Sequence, residues 1–175
     1  MPSDNPVSAD NQQGRLSSQW IVGFADGEGC FSVSIFKNRT SKFGYQVFPE
    51  FVITQGAKSQ AVLKDIQSFF GCGNIYENKR KDNHRESLYR YCVRSRKDLL
   101  ETIIPFFEAN HLRTAKRSDF KTFSMVVRMV ENQQHMANSG LNRIRRLAGS
   151  MNRQKRRTRE PSETTRSIRN INHVA

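Results

Sequence analysis

Twice along the chain, a stretch with apolar residues at helical spacing is followed by two stretches in which apolar and polar residues alternate. Helical spacing lays one face of a helix on a core, and alternation lays one face of a strand there. In the first unit Leu16, Trp20, Gly23, Phe24 and Gly27 recur at helical spacing, with Ser17 or Ser18 as cap and Gly29 as stop. Phe31, Val33 and Ile35 then alternate with Ser32, Ser34 and Phe36. After a TSKFG turn, Tyr45, Val47, Phe51 and Ile53 alternate with Gln46, Phe48, Glu50 and Thr54, and Pro49 marks an edge or a bulge. In the second unit Val62, Leu63, Ile66, Phe69 and Phe70 form a helical stripe that Gly71 ends. The strand in GNIYENKRK, the basic turn KRKDNHRES and the return strand LYRYCVRS follow. Ser95 and Asp98 form a capping box for LLETIIPFFEAN, a helix that Pro105 bends or divides. A last long helix begins near Thr114, with Phe120, Phe123, Val126, Val127 and Val130 inward. The expected class is α+β, with one four-stranded antiparallel sheet and its helices on one face.

Composition narrows the partners. The 175 residues carry 29 Lys+Arg against 16 Asp+Glu, a net charge of +13. Such an excess points to a polyanion, most often nucleic acid. No run approaches the roughly 18 apolar residues of a membrane span, so no membrane role is expected. The first residues lack the charged-then-apolar order of a signal peptide. Cys30, Cys72 and Cys92 form no CxxC, which argues against a disulfide scaffold and a zinc ribbon. His84, His111, His135 and His173 show no metal-binding spacing. Residues 1–15 read as a disordered N-terminus, 16–135 as the folded domain, and 136–175 as a helical segment with a basic tail. That last stretch holds ten Lys+Arg and two acids, giving +8 of the +13. The tail has two readings: phosphate contact without sequence preference, or a solvated end.

The sheet face turned away from the helices would carry Ser32, Ser34, Asn38, Gln46, Glu50, Asn78, Arg80, Arg90 and Arg94. It is either a solvated face or a base-reading one, since Arg, Gln, Asn and Glu pair with base edges. The net charge favours the second reading.

The segment WIVGFADGEG is the most informative. Asp26 and Glu28 sit at a helix C-terminus, where a carboxylate is disfavoured by about 0.3–1 kcal/mol. A bound divalent cation would account for them, and so would pairing with Lys or Arg. Gly23 and Gly27 lie four apart on one helical face, each costing about 1 kcal/mol relative to Ala. Close approach of a second helix would explain both. If that helix belongs to a second copy, acids from the two copies converge near a two-fold axis.

The nonapeptide Ile21-Val22-Gly23-Phe24-Ala25-Asp26-Gly27-Glu28-Gly29 resembles the signature of the LAGLIDADG homing endonucleases. The likeness runs from about Leu16 to Val130, includes FVITQ and LRTAKRSDFKTF, and extends to the αββαββα order that is this family's fold. NSGLNRIRRLAGSMN is similar to the C-terminal region of rRNA-intron members. Single-motif members are homodimers, so the resemblance implies a homodimer that cleaves a long pseudo-palindromic double-stranded DNA site and initiates intron homing.

It further implies that Glu28, where Asp is usual, and the Gly27 carbonyl hold catalytic Mg²⁺, with Mn²⁺ as substitute and Ca²⁺ binding without cleavage. Gln55 matches a residue that positions the attacking water. Lys116, ahead of Arg113, matches the base of the late helix that stabilises phosphate charge. The DNA-binding set is Ser32, Ser34, Phe36, Asn38, Arg39, Gln46, Phe48, Glu50, Tyr76, Asn78, Arg80, Arg90, Cys92 and Arg94. Trp20, Gly23, Phe24 and Gly27 form the dimer interface. The implied location is a chloroplast or mitochondrion for an organellar intron, otherwise bacterial cytoplasm. The alternative is an RNA maturase that assists splicing of its own group I intron.

Overall fold

The structure, a computed structural model, describes residues 16–41, 43–78 and 87–151. The expected disordered N-terminus, the Arg80 position and the basic tail lie outside the described residues.

Helix α1 (Ser18–Glu28) is opened by Ser17, whose hydroxyl accepts from the Trp20 amide at 3.2 Å. It buries Ile21 and Ala25 and leaves Trp20, Gly23 and Gly27 exposed. Gly29 stops it by turning extended, and a Cβ there would lie 2.7 Å from the Ala25 carbonyl oxygen. The chain runs straight into β1 (Gly29–Lys37), turns, and returns as β2 (Tyr45–Gly56). Helix α2 (Gln60–Phe70) ends at Gly71, whose left-handed φ of 65° suits a residue without Cβ. Strands β3 (Asn74–Asn78) and β4 (Leu88–Val93) follow.

The sheet is antiparallel throughout, in the order β1-β2-β4-β3. The β1–β2 ladder steps one residue against one through Val33 opposite Pro49, so Pro49 makes no bulge. The β2–β4 ladder starts only at Phe51 opposite Val93. Pro49 therefore lies where β2 is an edge.

Ser95 accepts from the Asp98 amide and starts a helix of three parts. These are α3 (Arg96–Asp98), a π turn over Leu99–Ile103, and α4 (Ile104–Ala109). Pro105 has no N–H to give the preceding turn, and the Ile104 amide reaches back five residues to the Leu99 carbonyl. The proline thus widens the helix without dividing it. Helices α5 (Lys116–Glu131) and α6 (Asn138–Ser150) complete the fold.

All helices cover the face that carries Phe31, Phe51, Ile53, Tyr91 and Val93. Phe31 is fully buried, with the rings of Phe51, Phe107, Phe120 and Phe123 centred 4.9, 5.3, 5.2 and 5.4 Å away. Five aromatic rings from two strands and two helices thus lock the sheet to α4 and α5. A second cluster joins Val47 of β2 to Val126, Met129 and Val130 of α5 and to Leu141 and Ile144 of α6.

Truncating Phe31 opens a cavity at this junction. Phe31→Ala is expected to lower unfolding free energy by about 3–5 kcal/mol, measured by denaturant titration at fixed protein concentration.

Candidate active site and nucleic-acid interface

The C-terminus of α1 meets the start of α5. The Asp26 carboxylate accepts from the Arg113 amide at 2.6 Å, the Thr114 amide at 3.3 Å and the Thr114 hydroxyl at 2.7 Å. The Thr114 hydroxyl also accepts from the Lys116 amide at 3.2 Å. Partial burial pushes the Asp26 carboxyl up. The Arg113 and Thr114 donors and the Lys116 charge outweigh that and hold it below the ordinary 3.8. Lys116 sends its ammonium back to α1, where it donates to the carbonyls of Ala25 at 3.0 Å and Gly27 at 3.3 Å. A cation therefore sits at the negative pole of the α1 dipole, as electrostatics favours.

The two acids at this pole do not act as a pair. Asp26 is consumed by the α5 entry turn. Glu28 is exposed and makes no ion pair or side-chain hydrogen bond among the described residues. Register brings Gln55 to the same place. Gly29 lies opposite Ile53, so Glu28 and Gln55 are one and two residues beyond that rung at one end of the sheet. Gln55 is half-buried. Arg113 contributes its backbone amide, and its side chain is exposed. The sequence reading missed Thr114. It is 88 residues from Asp26, and nothing local to either residue announces the contact.

The Glu28 carboxylate and the Gly27 carbonyl are hard oxygen donors of the kind Mg²⁺ and Ca²⁺ take. The ammonium already resting against the Gly27 and Ala25 carbonyls shows that this corner attracts a cation. These donors fit such an ion, but they do not fill its shell. Among the described residues no group of three or more His, Cys, Asp or Glu could hold a metal. Mg²⁺ keeps several waters when one or two carboxylates bind it, so further oxygens can come from solvent. Burial pushes all three cysteine thiols up, as expected for packing residues.

Ladder register places Ser32, Ser34, Phe36, Gln46, Phe48, Glu50, Tyr76, Asn78, Arg90 and Cys92 on the sheet face without helices. Asn38 and Arg39 lie just past β1, and the Asn38 amide group donates to Gln46 at 3.1 Å. Two of the expected contact residues are corrected. Cys92 is 2% exposed and Glu50 8% exposed, so neither offers atoms to a groove. Glu50 instead accepts from Arg90 at 3.1 Å and from Arg94, whose side chains are 37% and 39% exposed. The surface here belongs to the arginines.

Among the described residues nothing covers the outer side of α1. Trp20 is 38% exposed and stacks on half-buried Phe24 with ring centroids 4.7 Å apart. A Cβ added at Gly23 or Gly27 would meet nothing within 4 Å in the protomer. Nothing among the described residues explains the cost of the two glycines.

Three comparisons bear on this geometry. The sequence model of the family described as LAGLIDADG endonuclease matches residues 21–127. The chain is 38% identical to the homing endonuclease I-TnaI, with 90% of this chain and 99% of that one covered at a TM-score of 0.72. It is 33% identical to I-SmaMI bound to an uncleaved DNA target in the presence of calcium ions, covering 79% of this chain and 45% of that one at a TM-score of 0.72. Among curated relatives, an uncharacterized 50.9 kDa protein in ND4 intron 1 of Podospora anserina is 35% identical over 123 residues, 69% of this chain. The chain spans 26% to 36% of the length of the first such relatives.

The lowered Asp26 carboxyl makes its tie to α5 pH-dependent. A carboxyl depressed by folding adds stability above its unfolded value, and that stability is lost as pH falls through the folded value. Asp26→Asn is expected to melt below the parent protein at pH 7. The gap should close as the pH is lowered below 3.8, followed by thermal denaturation across pH.

Proposed function

The chain belongs to the LAGLIDADG endonuclease family, and from that premise we propose that it is a homodimeric, metal-dependent homing endonuclease. Its substrate in this reading is a long pseudo-palindromic duplex, each strand of which is cut by phosphodiester hydrolysis to start intron homing. The observation that carries the proposal is the division of labour at the end of α1. Asp26 is tied to structure, while Glu28, next in sequence to the Gly27 carbonyl that Lys116 contacts, is exposed and makes no side-chain hydrogen bond or ion pair among the described residues.

Glu28 and the Gly27 carbonyl would hold the ion, Mg²⁺ or Mn²⁺ for cleavage and Ca²⁺ for binding alone. When bound, such an ion lowers the pKa of water and stabilises the leaving oxygen. Gln55, at the same end of the sheet, orients the attacking water. Lys116 adds positive charge at the scissile phosphate from its position on the α1 carbonyls. The Asp26–Thr114 tie keeps Lys116 in that place. In this reading dimerisation brings the Glu28 and Gly27 oxygens of the two copies together.

Several features support the dimer. The motif occurs once in this sequence, the Trp20–Gly23–Gly27 side of α1 is open among the described residues, and the chain matches less than half of the DNA-bound I-SmaMI chain. The relative in an ND4 intron supports an intron origin, and organellar location is part of the same proposal. The maturase reading rests on the Arg-rich tail, which lies outside the described residues. RNA affinity with splicing that survives Glu28→Gln would favour it.

Glu28→Gln is expected to abolish cleavage of the target in Mg²⁺ while duplex binding stays within a few-fold, read by gel assays of nicking and shift. Cleavage at the parent rate would refute the metal assignment. Gly23→Leu places its Cβ where nothing among the described residues lies within 4 Å, and it is expected to run as a single subunit in light scattering. A normal dimer would defeat the helix-pair argument.

A further inference from the structure

Glu50 is the one buried charged side chain among the described residues. It lies on the polar face of the sheet, where Ser32 is its rung partner on β1. A buried carboxylate is costly unless its oxygens are bonded to cations. Here Oε1 accepts from Nη2 of Arg90 at 3.1 Å, and Oε2 accepts from Nε of Arg94. The Glu50 bond also raises the Arg94 pKa. The Arg94 guanidinium carbon lies 5.1 Å from the Tyr76 ring centre and 5.7 Å from that of Phe48. A carboxylate and two rings thus restrict a side chain that would otherwise sample many rotamers.

Which atoms Glu50 uses matters. Its bond takes the Nε–H of Arg94 and leaves both terminal amino groups without a hydrogen bond among the described residues. Two parallel N–H donors are the group that pairs with O6 and N7 of guanine in a major groove. Fixing the fork beforehand lowers the entropy lost on binding.

Resting on the DNA-endonuclease reading, we infer that Arg94 reads one guanine in each half-site through its terminal amino groups. Glu50 is the positioning residue that aims it, not a base contact. The serines and amides on the same face remain adaptable contacts, whereas this position is rigid.

The test is selection of bound duplexes from a randomised pool by the full chain in Ca²⁺. The parent protein is expected to prefer G·C at one position, mirrored in the second half-site. Glu50→Gln and Arg94→Lys should each reduce that preference by about tenfold or more and leave the other positions unchanged. The double variant should lose no more than either single one. Arg94 is exposed, so Arg94→Lys decides the matter if Glu50→Gln does not fold. An unchanged base preference in Glu50→Gln overturns the positioning role. Uniformly weaker binding by Arg94→Lys, with a shallower salt dependence, assigns Arg94 to a phosphate and overturns the base contact. A parent protein with no sequence preference at all would overturn the endonuclease reading, and this inference with it.

Discussion

The geometry where α1 meets α5 hangs on the Asp26 carboxylate. Two backbone amides and one hydroxyl of the Arg113–Thr114 turn bind it, and the same hydroxyl takes the Lys116 amide. A short polar tie thus welds the end of α1 to the beginning of α5, although the two lie far apart in sequence. The tie sets where the Lys116 ammonium rests. Glu28, the neighbouring acid, makes no side-chain hydrogen bond or ion pair among the described residues. Two carboxylates two residues apart end up with opposite fates, because one faces a turn rich in donors and the other faces solvent.

The aromatic core performs a complementary task. Phe31 and its ring neighbours hold α4 and α5 against one side of the sheet. With all helices on that side, the other side carries a mixed set, with Ser32, Ser34, Gln46, Glu50 and Arg90 beside Phe36, Phe48, Val52, Tyr76 and Cys92.

Much of this was legible in the sequence, for identifiable reasons. The strand alternation at Phe31–Phe36 and Tyr45–Thr54 gives both faces of the sheet, and Ser17, Gly29, Gly71 and Ser95 punctuate the helices where the structure has their ends. These are local signals, and local physics settles them. The capping role of Asp26 was not legible, because it depends on a turn 87 and 88 residues away. Glu50 and Cys92 belong to the polar face by parity. Their burial follows from the arginines laid over that region, which no periodicity reports. Pro105 was read correctly as a disturbance, but the helix absorbs it by widening one turn, an outcome that depends on packing of Leu99, Ile103 and Ile104 in the core.

Pro49 gains meaning from its place in the ladder. Its partner Val33 cannot receive an N–H from it, so this rung must be one without hydrogen bonds between the two strands. The missing donor then falls on the flank of β2 beyond the end of β4. A strand arriving there from another molecule would find its hydrogen-bonding template interrupted. The sheet is thereby discouraged from growing sideways along the free flank of β2.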